Sequence, residues 1–167
     1  MIHFKIKIDD KDIMKALKKQ KATLEVGFWG DMYEGIDKGF YSSYGLGGKT
    51  TGKPRRYSPR KSISVAEVAA ANEFGGKNRP PRPFMRYTIK SRKRKWRKIV
   101  QDLLPQYMDN VKGLFEKLGD VCAEDLSDVI RIWTNPPNAP STIKKKGFND
   151  PLVDTGQMMN SVHWRVK

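Results

Sequence analysis

Hydrophobic and polar residues alternate near both ends of the chain, with the period of two that is typical of a half-buried β-strand. Phe4, Ile6 and Ile8 alternate with polar residues at the start, and the segment 162–166 alternates in the same way at the end. The apolar run 23–29 predicts one further strand. We therefore expect a small antiparallel or mixed sheet in which strands from both ends of the chain take part.

Helix signals lie between these strands. Apolar positions within 13–17 predict a short helix after the first strand. Ser64 and Glu67 have the spacing of a capping box, in which side chain and backbone satisfy each other's hydrogen bonds at a helix start. That helix is predicted to run to Phe74, where Gly75 supplies a left-handed C-cap.

A basic amphipathic helix is predicted after a proline-rich connector, with Pro83 in its first turn. Its apolar residues recur every three or four positions on one face: Met85, Ile89, Trp96, Ile99, Val100 and Leu103. Pro105 predicts a break, and a second long helix is expected over 111–133. Cys122 falls on its apolar face and is predicted to be buried, whereas Gly119 weakens the helix or lets another backbone come close.

The remaining elements are short. The prolines of 135–140 end the second long helix, one helical turn is predicted over 141–146, and Asp154 or Thr155 is predicted to cap another. The fold class that follows is α+β, with about three main helices packed on the small sheet in a single domain, 1–167. The segment 30–61 is rich in glycine and tyrosine, and it is either a surface insertion or an arm that orders on a partner.

The charge is unevenly distributed. The chain has 33 Lys and Arg against 18 Asp and Glu, a formal net charge of +15. No acidic residue occurs from Phe74 to Gln101, whereas the segment 109–128 is mainly acidic. We therefore expect the basic helix to face the acidic helix, either within one subunit or between subunits. A surplus of this size also favours an acidic partner such as nucleic acid.

Catalytic and metal-binding chemistry is thinly represented. Cys122 is the only cysteine, and His3 and His163 are the only histidines, which leaves no intramolecular disulfide and no multi-thiolate zinc site. No nucleophile with a neighbouring base is evident, so we expect neither an enzyme nor a bound cofactor. The absence of a long apolar run or a signal peptide predicts a soluble protein made in the cytoplasm, with no membrane partner.

Two segments resemble one protein family. Residues 65–86 contain A-x-x-x-E-F-G and then P-x-R-P-F-h-R, where x is any residue and h a hydrophobic one. Residues 138–162 contain N-x-P-S-T-x-x-x-K-G and then P-L-h-D-T-G-x-h-x-x-S-h. The motif positions singled out are Asn72, Glu73, Phe74, Gly75, Pro83, Phe84, Ser141, Thr142, Gly147, Asp154, Thr155 and Gly156. Both segments, in this order, are similar to the phage tail-completion and virion-morphogenesis proteins, which join the capsid to the tail.

The resemblance implies a structural virion protein at the head–tail junction, made in the host cytoplasm. Such a subunit assembles into a ring, commonly a hexamer, between the head connector or adaptor proteins and the tail terminator or tail tube protein. Tail terminators and head-closure proteins are the alternatives within the neck. The motif residues themselves fit a structural role, because glycine ends a helix, proline starts one and Asp154 or Thr155 caps one.

A basic nucleic-acid-binding protein is the alternative from another class. In that case, or through non-specific contact with the genome in a neck, cations would contact phosphates while Trp96 or the tyrosines of 30–61 stack on bases. The same cations are candidates for subunit contacts, and a solvated charged surface is the simplest alternative for them. These candidates are Lys90, Arg92, Lys93, Arg94, Lys95, Trp96, Arg97, Lys98, Arg55, Arg56 and Arg60.

Overall fold

The computed structural model describes residues 1–6, 22–29, 64–77 and 79–167. The predicted helix near 13–17 and the segment 30–61, with Arg55, Arg56 and Arg60, lie outside these residues. The strands are β1 (Ile2–Ile6), β2 (Leu24–Phe28) and β3 (His163–Val166). The helices are α1 (Val65–Phe74), α2 (Phe84–Leu103), α3 (Val111–Ile132), α4 (Pro140–Lys146) and α5 (Gln157–Asn160), with a 3-10 turn at Leu104–Gln106.

The three strands form one antiparallel sheet in the order β1-β2-β3. Val26, at the centre, lies opposite Phe4 on one side and Trp164 on the other. Backbone hydrogen bonds between Thr23 and Lys167, 2.8 and 3.0 Å long, extend the β2–β3 ladder. Strands from both ends of the chain therefore flank β2, and the architecture is α+β, as predicted.

The core lies between one face of this sheet and the helices. Because side chains alternate along a strand, Leu24, Val26 and Phe28 share the inner face of β2, and all three are buried. The central helix α3 contacts β2, β3, α2 and α5, and its apolar face is buried along its whole length. Phe28 meets Phe84 of α2 edge to face, with ring centroids 6.2 Å apart.

The helix boundaries follow the predicted signals closely. The capping box is present, since the Ser64 hydroxyl accepts from Glu67 N and the Glu67 carboxylate accepts from Ser64 N. α2 ends at Leu103, so the predicted break near Pro105 is present. Its predicted cause is wrong, because Leu104 keeps helical angles, φ −50° and ψ −44°, and the chain continues through Pro105 as a 3-10 turn. Asn110 then caps α3 by accepting from Gly113 N at 2.9 Å.

Three local predictions need correction. Pro83 immediately precedes α2 instead of forming its first turn, because its ψ of 59° is not helical. Gly75 has a positive φ of 74°, but its ψ of −165° is extended and not left-handed helical. Gly156, with φ 77°, is the residue that enters α5, while Thr155 Oγ1 makes only a long 3.4 Å contact with Gln157 N.

The close approach at Gly119 is made by a side chain and not by a second backbone. A Cβ at this position would lie 2.4 Å from a ring carbon of Trp164 on β3. The indole therefore occupies the space that a side chain on α3 would need. Its Nε1 donates to Asp120 at 3.0 Å, which fixes the ring against the helix.

Candidate functional site

Glu73 joins α1 to the start of α2. Its side chain is 2% exposed, and its carboxylate accepts from Met85 N at 2.8 Å and from Arg86 N at 3.3 Å. The first backbone N–H groups of a helix have no partner inside the helix, and they favour a negative charge. Arg86 Nε donates to the Glu73 carboxylate at 2.8 Å. One buried carboxylate therefore caps α2 and forms an ion pair with the first arginine of that helix.

Gly75 sets the direction of the chain between these helices. Its φ of +74° is disfavoured for other residues, and a Cβ there would lie 2.8 Å from Pro81 N. Gly76 and Arg79 exchange backbone hydrogen bonds of 2.9 and 3.1 Å, which closes the turn. As a result, Arg82 lies beside α1, and its backbone N–H donates to Asn72 O at 2.7 Å.

Arg82 connects the two motif segments. Its guanidinium is buried and donates to Pro136 O and Pro137 O at 3.1 Å, to Asn138 Oδ1 at 3.3 Å and to Pro151 O at 3.4 Å. All four acceptors are neutral, and no salt bridge within the described ranges involves Arg82. Burial, and to a smaller degree the charge of Arg79, lowers the pKa of its guanidinium.

The second motif segment forms a short helix and a loop beside this arginine. α4 begins at Pro140, with Ser141 exposed and Thr142 half-buried, and it ends at Gly147 with φ 86°. Lys146 Nζ donates to Asp150 O at 2.7 Å and to Val153 O, and burial lowers its pKa. Asp154 and Thr155 are exposed, and the hydrogen bonds of Lys146 fix the backbone conformation of this motif.

An exposed aromatic patch lies where the first motif meets the end of α3. We define it as Phe74, Arg86, Tyr87, Ile132 and Trp133. Phe74 is 66% exposed, Ile132 59% and Tyr87 52%. The Arg86 guanidinium lies 5.5 Å from the centre of the Phe74 ring, and Tyr87 packs edge-on against Trp133 at 5.5 Å. Phe74 thus differs from its motif neighbours Glu73 and Phe84, which are buried.

The predicted meeting of the basic and acidic helices occurs within one subunit, at Asp125. This buried carboxylate on α3 accepts from Lys95 Nζ at 2.9 Å and from Trp96 Nε1 at 2.8 Å, and it lies 3.4 Å from Arg92 Nε. Trp96 is 5% exposed and stacks on Phe4 with ring centroids 5.9 Å apart. The prediction that Trp96 stacks on bases is therefore wrong, because its ring belongs to the core.

The remaining cations of α2 lie on its outward face. We call this set the basic stripe and define it as Lys90, Lys93, Arg94 and Lys98, all of which are exposed. No salt bridge or hydrogen bond among the residues that the structure describes uses any of these side chains. Arg97 is exposed beside them. The structure thus divides the predicted cluster into cations bound to Asp125 and cations that face solvent.

The outer face of the sheet carries a second charge cluster that the sequence did not reveal. Glu25 on β2 is buried, and its carboxylate accepts from Arg165 Nε at 2.7 Å. Lys167 Nζ lies 3.2 Å from it, Lys5 Nζ 3.6 Å and His3 Nε2 3.7 Å. The hydrogen bond from Arg165 is the main cause that lowers the pKa of Glu25 to about 2, while burial opposes it. Burial also lowers the pKa of His3.

Cys122 lies in the core, as predicted. It is fully buried, and burial, together with the nearby charge of Asp125, raises the pKa of its thiol. Across 1–6, 22–29, 64–77 and 79–167, no group of three or more His, Cys, Asp or Glu side chains could hold a metal ion. In the same ranges, no helix is both long enough and apolar enough to cross a membrane.

Comparisons with protein-family models, with curated proteins and with solved structures found no match to this chain. The site is therefore characterised by its own geometry: a buried motif network, an exposed aromatic patch and a basic stripe.

Proposed function

We propose that the chain is a structural virion protein of the phage neck, a tail-completion protein that joins the head connector to the tail as a subunit of an oligomeric ring. The observation that carries the proposal is the position of Arg82. This residue of the first motif binds Pro136, Asn138 and Pro151, in or next to the second, across 54 to 69 residues of sequence. The two motif segments therefore form one structural unit, which supports treating their joint occurrence as a single signature.

The aromatic patch supports the ring. Aromatic side chains and arginine are enriched at the cores of protein interfaces, where they contribute most of the binding free energy. Phe74 and Tyr87 expose their rings, and Glu73 behind them holds Arg86 in place. Each subunit of a ring contacts the next through two different surfaces. We assign the aromatic patch to one of these two surfaces, with a second copy of the chain opposite.

The first test is electron microscopy of lysates from a phage in which a stop codon interrupts this gene. The proposal predicts packaged heads separate from finished tails, because a missing neck ring leaves both halves complete and unjoined. Tails of irregular length would instead assign a terminator role. Normal infectious particles would contradict a neck function altogether.

The second test asks whether the aromatic patch is the assembly surface. Phe74→Asp is predicted to abolish complementation of the interrupted gene, because a charge in an interface core is not compensated. Met108→Asp is the matched control: Met108 is 41% exposed and lies in the turn that follows α2, at the far end of that helix. Since both side chains are exposed, both variants should melt close to the wild type. Equal complementation by the two variants would refute this assignment of the patch.

A further inference from the structure

The α2 helix divides its positive charge between two faces. Arg92 and Lys95 are bound to Asp125 of α3, whereas the basic stripe faces solvent. We propose that the basic stripe binds the phosphate backbone of double-stranded DNA without reading its sequence. This inference does not depend on the proposed neck function.

The stripe has a regular geometry. Lys90, Arg94 and Lys98 are four residues apart, so they lie on one side of the helix at intervals of about 6 Å. Lys93 stands three residues from Lys90 on the same side. Duplex DNA carries one negative charge per roughly 1.7 Å of its axis, so a straight row of cations meets phosphates along its whole length.

The described residues of the subunit do not neutralise the charge of the stripe. None of its four side chains has an ion-pair partner among residues 1–6, 22–29, 64–77 and 79–167, and no acidic residue occurs from Phe74 to Gln101. Exposed cations without an ion-pair partner attract small anions from solution. On binding, each neutralised phosphate releases counterions, and this release drives association at low salt.

Nucleic acid fits this surface better than a second copy of the chain. Two stripes placed against each other would bring like charges together, which opposes a contact of this surface with the same surface of a second copy. On α3, Glu116 lies 3.9 Å from Lys112, and Asp128 lies 2.7 Å from Arg131. Those acidic side chains therefore have cations beside them on their own helix.

The side chains of the stripe also favour a duplex over a single strand. Proteins that bind single strands stack the bases on exposed aromatic rings. Trp96, the one aromatic residue between Lys90 and Lys98, is buried and bound to Asp125, so the stripe itself offers no ring for stacking. Lysine and arginine side chains on an exposed helix face contact phosphates, which position a protein on DNA without specifying its sequence.

The experiment measures binding of fluorescent duplexes of about 30 base pairs, in two unrelated sequences, between about 50 and 200 mM salt. The test variant is Lys90→Gln/Arg94→Gln/Lys98→Gln. The matched control is Lys112→Gln/Lys117→Gln/Lys144→Gln, which removes the same charge from exposed positions on α3 and α4. Circular dichroism and thermal melting establish that all three proteins are folded.

The proposal predicts that the test variant lowers the slope of log affinity against log salt by about 2.7, since each lost phosphate contact contributes roughly 0.9. The wild type then loses about 40-fold more affinity than this variant over the salt range, equally for both sequences. The control keeps the wild-type slope. Contributions from other parts of the chain cancel, because wild type and variant share them.

Three results would overturn the proposal. Equal losses in the test variant and the control would show that only net charge matters. Tighter binding to a single strand than to the duplex would exclude a duplex surface. A shift in the sedimentation of the test variant alone, without DNA and absent from the control, would make the stripe a contact between copies of the chain.

Discussion

Arg82 and Glu25 are both charged and both almost fully removed from water, but their surroundings compensate them in opposite ways. Arg82 is held by four neutral oxygen atoms from two loops, with no acid paired to it in the described part of the chain. Glu25 is surrounded by Arg165, Lys167 and Lys5, with His3 beside them. The arginine alone donates to three backbone carbonyls and one side-chain amide oxygen. The glutamate has several cations around it, and we expect these to replace one another.

The largest effect is expected from removing the guanidinium. In Arg82→Met, the buried acceptors Asn138 Oδ1 and Pro151 O lose their donor, at about 1–3 kcal/mol for each group left unsatisfied. We expect a total loss of roughly 3 kcal/mol or more in the free energy of unfolding, measured by denaturant titration. Arg82→Lys should recover only part of this loss, because an ammonium group cannot reach the same set of oxygen atoms. A loss below about 1 kcal/mol would show that solvent replaces the guanidinium.

The next largest effect is expected on the sheet side, at the contact that holds β3 against α3. Gly119→Ala places a Cβ 2.4 Å from the Trp164 ring. Overpacking of this kind costs about 1–3 kcal/mol, which outweighs the gain in helix propensity of roughly 1 kcal/mol. A lower melting temperature is therefore predicted. Gly76→Ala is the control, since no atom lies within 4 Å of its added Cβ; equal melting of both variants would exclude the steric explanation.

The pH dependence of stability separates the two buried charges. The pKa of Glu25 is lowered to about 2 from 4.5, so its contribution is fully present above about 4.5 and is lost as the pH falls toward 2. Glu25→Gln should therefore be less stable than the wild type at neutral pH, and the difference should shrink in acid. The effect of Arg82→Met should stay constant over the same range, because the guanidinium does not titrate there. Unfolding titrations at several pH values decide this; parallel profiles for wild type and Glu25→Gln would contradict the assignment.

The smallest effect is expected from removing one cation of the Glu25 cluster. The Lys167 side chain is 57% exposed, and Arg165 keeps its shorter 2.7 Å contact when Lys167 is lost. Lys167→Ala should therefore reduce stability by less than about 1 kcal/mol, the usual range for an exposed ion pair. A larger loss in denaturant titration would mean that the cations do not replace one another.

The sequence predicted the helices well because their signals are local. The capping box at Ser64 and the apolar period of α3 act over a few residues, and both were confirmed. The burial of Cys122 followed from the same period. Local rules were less reliable for exact backbone angles, as Gly75 and Gly156 show, since those angles depend on neighbouring loops.

The charged contacts could not be predicted, because the fold brings together residues that are far apart in sequence. Glu25 lies in an apolar strand with nothing to mark it, and its partner Arg165 is 140 residues away. The charge pattern suggested that the basic and acidic helices meet, but Asp125 as the meeting point became visible only in three dimensions. Trp96 is buried beside Asp125, so it is no longer a candidate contact residue.

The central position of β2 also has a consequence for the order of folding. One edge of β2 pairs with β1, which is about twenty residues away in sequence. The other edge of β2 is hydrogen-bonded to β3, which lies near the opposite end of the sequence. Contacts of such long range are entropically costly to close, and we expect them to form late. Until β3 docks, one edge of β2 and part of its apolar face stay open to pairing with other chains. Refolding yield should therefore fall as protein concentration rises, and adding a peptide that covers β3 should restore it.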